Sequence, residues 1–371
     1  SMSRIAQTEL ILPGVAPAGS IAERLILANG DIHQFRPYVE SDGRSYMTIN
    51  MGTFEKPKLE VVPTANAALL RKDEWSLLDS RVLMAARQRL RAWSDLRAAN
   101  TYTIDGMGTM VLEGETISDE GEAQVDFDGL SEGPASQPKF DLEGLPIAIT
   151  HSSFWFSARR LMISRKMGNG INVTMGEQAG RRVAEMIERT LIGTVTGPTL
   201  SPRNVAQMRR TPVVQGYTNF TYRVTKTDVT APTTGGWTPK QLLEDVLDMI
   251  DSLNDLGFYG PFMLYTSTDW DQYLELDYSD AKGDNTLRDR LRKIEQIRDV
   301  RRLDLFTSTF SLVLVQMTSD VVEAVNGMEL TTVQWESKGG ARIDFRVMAI
   351  QVPRLKADIT GATGICHGTT S

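Results

Sequence analysis

Residues 145–193 read LPIAITHSSFWFSARRLMISRKMGNGINVT (145–174) followed by MGEQAGRRVAEMIERTLIG (175–193), and the fold turns on how this stretch is read. The first part is extended in character and ends in a Gly/Asn turn at 168–170. The second is an amphipathic helix. Ala179, Val183, Met186, Ile187 and Leu191 recur at three- and four-residue intervals and mark a buried stripe, while Arg181, Arg182, Glu185, Glu188 and Arg189 lie largely off it. Thr174 is the expected cap, Glu177 reaches back to the cap's own N–H, and Gly193 sits where a left-handed residue ends a helix. Locally this is an ordinary amphipathic helix; the order of the parts around it carries more.

Composition narrows the classes. With 371 residues and 41% hydrophobic residues the chain can fill one large core or two ordinary ones. A net charge of −7 argues against a free-standing nucleic-acid binder, which needs net or clustered positive charge. Cys366 is the one cysteine, so no intrachain disulfide forms, and His33, His151 and His367 are too scattered for a metal site. No apolar run approaches the length of a membrane span, and the N-terminus lacks a basic-then-apolar signal pattern, so a reducing cytoplasm is the expected compartment. Ser1-Met2 reads as a tag remnant before a native start, or as a natural proteolytic N-terminus.

Residues 1–72 are rich in Pro, Gly and Asn, with one short helix expected over Ser20–Asn29, a strand-like stretch over Tyr46–Glu60 and a break at Pro63. Asp73–Ala99 reads as one long helix capped by Asp73. Trp75, Leu78, Val82, Ala86, Leu90 and Trp93 are buried there, and Arg81, Arg87, Arg89, Arg91 and Arg97 lie on the surface. From Asp105 to Gly144 ten carboxylates between Glu113 and Glu143 face Lys139 alone, so the segment cannot supply its own core and should project, as a long hairpin with strands over Thr109–Leu112 and Ala123–Phe127 or as a disordered acidic loop. A strand pair is expected around Val213–Tyr222. A helix follows Thr238, Pro239 and Gln241, with Leu242, Val246, Met249, Leu253 and Leu256 inward. Strands over Phe262–Thr266, Asp299–Leu305 and Ser311–Gln316, with a helix over Thr286–Ile297, indicate a small α/β unit that breaks at Asn326-Gly327. Thr331–Trp335 and Ala341–Ile350 form a hairpin, and 359–371 a tail or loosely pinned strand.

The whole order of parts resembles a known family. A strand entered at Leu145-Pro146-Ile147 leads into the aromatic and basic segment Phe154, Trp155, Phe156, Arg159, Arg160. A turn and a helix carrying Gly180-Arg181-Arg182-Val183-Ala184 follow. This resembles the strand and long spine helix of tailed-phage major capsid proteins and encapsulin shells, which share the Johnson fold of the phage HK-ninety-seven type. Gly260-Pro261-Phe262-Met263-Leu264-Tyr265 looks like that family's Gly-Pro-Tyr-hydrophobic strand, and Leu291–Asp304 like the helix and strand after it.

The resemblance spans roughly residues 73–358 and implies an α+β Johnson-fold capsid protein. Its parts would be an N-terminal arm (1–72), a peripheral domain (73–104, 145–236 with the spine helix and a connector, and 328–371 with a C-terminal tail), an E-loop (105–144) and an axial domain (237–327). It also implies pentamers and hexamers building an icosahedral head around packaged double-stranded DNA, assembled in the host cytoplasm, with scaffold, portal or decoration proteins as further partners. Glu113, Glu115, Glu120, Glu122 and Lys139 of the loop, and Arg159, Arg160, Arg165, Arg181 and Arg182, are the expected assembly contacts. Arg159–Lys166 and Arg288–Arg302 are two basic stretches able to receive an acidic loop. Arg87 and Arg91 are the candidates for DNA contact on an inner wall. Some capsids of this fold join an E-loop lysine to an asparagine of the next subunit. Here Lys139 is the sole lysine candidate and no asparagine follows Asn326, so a non-covalent shell is expected.

Motifs for other chemistry are missing. No Walker loop, dinucleotide fingerprint or nucleophile elbow occurs, Gly168-Asn169-Gly170 is a turn, and the acidic loop lacks calcium-ligand spacing. His151, beside Phe154 and Trp155, reads as a core or interface histidine. No catalytic residue, cofactor, metal or membrane contact is therefore expected. The rival readings are an encapsulin shell around a cargo enzyme, disfavoured by the long arm, and a soluble α/β enzyme, disfavoured by the absent catalytic constellation.

Overall fold

In a computed structural model, the described residues are 38–39, 44–50, 59–63, 70, 72–117, 140–166, 173–199, 213–278, 285–338 and 341–370. The strands β1 (Tyr38–Val39), β2 (Ser45–Asn50) and β3 (Leu59–Pro63) form a small antiparallel sheet, dividing the stretch expected as one strand. The expected Ser20–Asn29 helix lies outside the described residues.

Two helices, α1 (Lys72–Arg87) and α2 (Ala92–Ala99), replace the single one expected over Asp73–Ala99. Trp75, Leu78, Val82 and Ala86 face inward as expected, and Trp93 and Leu96 continue the apolar face after the break. Next come β4 (Thr101–Thr103), β5 (Val111–Ile117), β6 (Phe140–Pro146) and β7 (Thr150–Ser157). β5 pairs antiparallel with β6 from Val111–Pro146 to Ile117–Phe140, so the hairpin legs are not the ones expected; Ala123–Phe127 lies outside the described residues.

The extended reading of 145–174 fails after Ser157, where α3 (Ala158–Lys166) begins. Ala, Arg, Leu, Met and Lys are strong helix formers, and buried Leu161 anchors the segment. The long helix α4 (Thr174–Ile192) has Val173 rather than Thr174 at its cap position, with no side-chain cap, and Gly193 ends it at φ +97° as expected. Its buried face is wider than the expected stripe, because Gly176, Gly180 and Ala184 let α1 approach closely. Met186 lies outside that face at 42% exposure, and Glu188 lies within it.

β8 (Val224–Val229) was not anticipated, and the expected strand pair around 213–222 is instead a set of turns with one Thr199–Val213 bridge. The helix α5 (Pro239–Asn254) has the expected Thr238–Gln241 capping box. There follow β9 (Phe262–Ser267), α6 (Asp271–Leu274), α7 (Leu287–Arg292, shorter than expected), β10 (Ile297–Leu303) and β11 (Leu312–Gln316). β12 (Val322–Ser337) runs through Asn326-Gly327 as an irregularity rather than ending there. A Cβ on Gly327 would crowd the backbone of Gly106, so that site needs glycine. β13 (Arg342–Leu355) pairs with β12 and β7. β14 (Ile365–Thr370) is an interior strand between β11 and β8, a correction to the expected tail.

Two larger sheets result, β4-β12-β13-β7 and β10-β9-β11-β14-β8. α4 and α1 cover one face of the first, against Phe154, Ile343, Phe345 and Val347. The second separates two cores: Met263, Tyr265, Val313, Val315 and Ile365 face that first core, while Phe262, Leu264, Leu312, Leu314 and Cys366 face α5, Trp270 and α7. The closest helix contact is tested at Gly180, where an added Cβ would sit 2.8 Å from the Val82 carbonyl oxygen. Gly180→Ala should lower stability by about 2 kcal/mol, read as a fall in the urea midpoint; an unchanged midpoint would show that α1 slides freely on α4.

Candidate functional site

The most deeply buried charged group of the described residues is Glu188 of α4, 1% exposed. Its Oε1 accepts from the backbone N–H of Arg91 (3.2 Å) and Ala92 (2.6 Å), and its Oε2 from that of Trp93 (3.1 Å). A carboxylate from one helix thus caps the N-terminus of another, satisfying amides that would otherwise be orphaned. Because these amides point at Glu188, they cannot continue the hydrogen-bond ladder of α1, so the chain breaks between Arg87 and Ala92. Asp95, one turn into α2, pairs with Arg301 of β10 and accepts a 3.3 Å bond from the Tyr265 hydroxyl of β9. The Tyr217 ring lies parallel to that of Tyr265 at 6.0 Å, and its buried hydroxyl has no hydrogen-bond partner among the described residues.

Burial pushes the Glu188 carboxyl up to about 7, against the pull of its three amide donors. Burial also raises Asp95, which Arg301 pulls back. Arg89 completes the junction, bonding Glu185 of α4 (2.8 Å) and Asp304 just after β10 (2.9 Å). Glu188 was read as lying off the apolar stripe. The signal that marks it is the four-residue ridge Gly176, Gly180, Ala184, Glu188, Ile192, in which it is the one charged member.

The residues expected from sequence as assembly contacts do not form one cluster. Glu113 is exposed on β5, and Glu115 lies on the same strand. Glu120, Glu122 and Lys139 lie outside the described residues. Arg159, Arg160 and Arg165 lie on α3, the first two exposed; Arg181 and Arg182 are exposed on α4, Arg181 lying 3.8 Å from Glu185. Arg87 and Arg91 are exposed and lack a carboxylate partner among the described residues, whereas Arg97 pairs with Glu329.

A cleft of 730 Å³ lies along β10 and α7, lined by Arg91, Arg288, Arg292, Arg301 and Arg302 together with Asp271, Glu275 and Asp299. There Arg302 and Arg288 hold Asp271, Arg288 also reaches Glu275, and Arg292 and Arg301 hold Asp299. On the face of the four-stranded sheet away from α4, Arg342 lies over the Trp155 ring (4.6 Å) and Arg346 over that of Trp335 (5.2 Å). His151 is exposed on β7, not in the core. His367 is buried, its Nε2 2.8 Å from Ser311 Oγ, and burial lowers its pKa to about 4, so the ring is neutral. Burial likewise pushes the Cys366 thiol up to about 12.

A model of a family of unknown function (DUF6260) matches residues 64–368. No curated protein matches the chain. Among solved structures, the capsid of Myoviridae Phage XM1 is similar with a TM-score of 0.56 at 9% identity, covering 74% of this chain and 90% of that one. A virus-like particle from Pyrococcus furiosus is similar with a TM-score of 0.51 at 16% identity, covering 78% and 97%. A structure of Mycobacterium phage Bobi gives 0.50 at 11% identity, covering 77% and 90%. At such identities the likeness concerns the fold, which is the Johnson fold.

The buried carboxylate has a measurable pH signature. Its pKa is raised on folding from 4.5 to about 7, so the folded state binds the proton more tightly. Its contribution to stability therefore declines as pH rises between those values, by roughly 2–3 kcal/mol, and is flat above them. Glu188→Gln keeps an acceptor without the titration. Subtracting its urea-unfolding profile from the wild-type profile between pH 4 and pH 8 should leave that decline; superimposable slopes would place the carboxylate in water.

Proposed function

The chain belongs to the family of unknown function DUF6260, and we propose that it is the major capsid protein of a tailed double-stranded DNA bacteriophage. The observation that carries this reading is the Johnson fold, whose long helix α4 packs on the four-stranded sheet, while the separate β5–β6 pair flanks an acid-rich sequence too polar to supply its own core. Such a hairpin is stable against a neighbour, and a closed shell supplies neighbours by symmetry. On this reading the chain forms pentamers and hexamers of an icosahedral head, and its work is structural rather than enzymatic.

The divisions at 72, 104, 144 and 236 serve as arm, peripheral, E-loop and axial parts, but the axial part ends before β12, whose residues from Val322 belong to the four-stranded sheet, and β8 and β14 join the axial sheet. Arg87 and Arg91, which have no carboxylate partner among the described residues, suit non-specific contact with packaged DNA phosphates. Scaffold, portal or decoration proteins are further partners, and the assembled protein would reside in the virion after assembly in the host cytoplasm. The likeness to the Pyrococcus furiosus particle favours a second reading, a shell enclosing cargo protein. Nuclease-protected DNA in purified particles supports the first, and a stoichiometric co-purified enzyme the second.

Purified chain should form large closed particles, seen by light scattering and negative-stain imaging. A strictly monomeric species at every salt and pH tried would contradict the shell reading. The particles should also dissociate to single chains on a denaturing gel. Asn326 is 8% exposed and donates to Glu329, which leaves it unsuited to cross-linking, and Lys139 is the one lysine between Lys72 and Lys166. A boiling-resistant ladder that vanished in Lys139→Ala would overturn this.

A further inference from the structure

We propose that the cleft between β10 and α7 is a binding site for a compact, multiply charged phosphate anion of the triphosphate class. The proposal goes beyond the shell reading and does not depend on it, because one chain supplies every residue named in the cleft. Five arginines converge there from three places: Arg91 just before α2, Arg288 and Arg292 on α7, and Arg301 and Arg302 on β10. Against them stand three carboxylates, Asp271, Glu275 and Asp299, so the lining is cationic in a chain whose net charge is −7. The surrounding sequence adds to that field, since residues 287–302 hold seven basic side chains and three acidic ones.

The carboxylates position the arginines without using them up. Asp299 holds Nε of Arg292 (2.9 Å) and Nε of Arg301 (3.1 Å), while Asp271 holds Arg302 through Nη1 and Arg288 through Nη2 (3.2 Å). A guanidinium carries five N–H donors in a rigid fork, so each of the four keeps donors beyond these pairings and is already oriented before a ligand arrives. Arg91 has no carboxylate partner among the described residues. Oriented guanidinium groups suit phosphate, whose oxygens accept bidentate bonds, and five of them suit several phosphate charges rather than one. Volume and walls decide for a compact ligand. At 730 Å³ the cleft is of small-ligand size, and Asp271 and Glu275 in its lining repel a polyanion that runs on past it. A DNA strand spaces its charges along the backbone, whereas a triphosphate concentrates them on adjacent phosphorus atoms. Because Arg91 precedes α2 and the other four arginines belong to the axial part, the bound anion would tie α2 to β10 beside the existing Asp95–Arg301 pair.

Isothermal titration of the full-length protein with inorganic tripolyphosphate at physiological salt tests this. Saturable binding at one site per chain is expected, weakened about tenfold in each of Arg292→Gln and Arg302→Gln and unchanged in Arg346→Gln, which removes a surface cation outside the cleft. Absence of saturable binding, or equal weakening by all three substitutions, would overturn the site. A second measurement needs no variant: tripolyphosphate bound to the wild-type chain should protect Arg292 and Arg302 from phenylglyoxal, read by peptide mapping, and unaltered modification of both would also overturn it. A short DNA duplex that displaced tripolyphosphate at equal phosphate concentration would assign the cleft to a phosphodiester backbone and overturn the compact anion. Each readout is made on single chains and on assembled particles alike, so a failure here leaves the shell reading standing, and a chain that stays monomeric leaves this site standing.

Discussion

The carboxylate of Glu188 is held by three backbone amides of another helix, and much of the fold is arranged to permit this. Burying a charge without partners is prohibitive, and leaving the first amides of α2 unbonded inside the protein would cost comparably. Each solves the problem of the other. The solution requires α1 to stop at Arg87, α2 to start at Ala92, and α4 to lie close enough for its glutamate side chain to reach. The close approach is supplied by Gly176 and Gly180, where an added Cβ would meet Leu78 and Val82.

From that junction the structure extends toward the five-stranded sheet. Asp95 ties α2 to β10 and β9 through Arg301 and Tyr265, and Arg89 ties the helix break to Asp304. The sheet is apolar on both faces, as the uninterrupted burial of β9 and β11 shows, and each face closes a different core. Because β14 lies within it, the last residues of the chain complete both cores. Packing and the buried polar junction thus couple the two halves, and a change in the charge of Glu188 is felt where the halves meet.

The parts legible in the sequence were those in which local chemistry and tertiary structure agree. The α5 capping box, the apolar strand after Gly260-Pro261, the hairpin across Lys338 and the inward side of α1 all follow from period and cap residues. Misreadings arose where a distant residue overrides local preference. The break after Arg87 depends on a residue 96 positions from Ala92, and the α3 helix directly follows an aromatic strand. β14 is short, small and polar (ICHGTT), and only its neighbours make it an interior strand. The pairs of Trp155 with Arg342 and Trp335 with Arg346 were invisible for the same reason, since only the β7–β13–β12 register brings them together.

The same logic separates what stabilises the subunit from what it offers outward. Inside, charges are satisfied within the chain: Glu188 by amides, Asp95 by Arg301 and Tyr265, Asp344 by Arg342 and Ser337. Among the described residues, arginines without a carboxylate partner include Arg87 and Arg91 at the first helix break, Arg159 and Arg160 on α3, Arg182 on α4, Arg298 on β10 and Arg346 on the outer sheet, while ten of the chain's carboxylates fall in the stretch Glu113–Glu143. In the β10 cleft arginines and carboxylates partly neutralise one another within the chain.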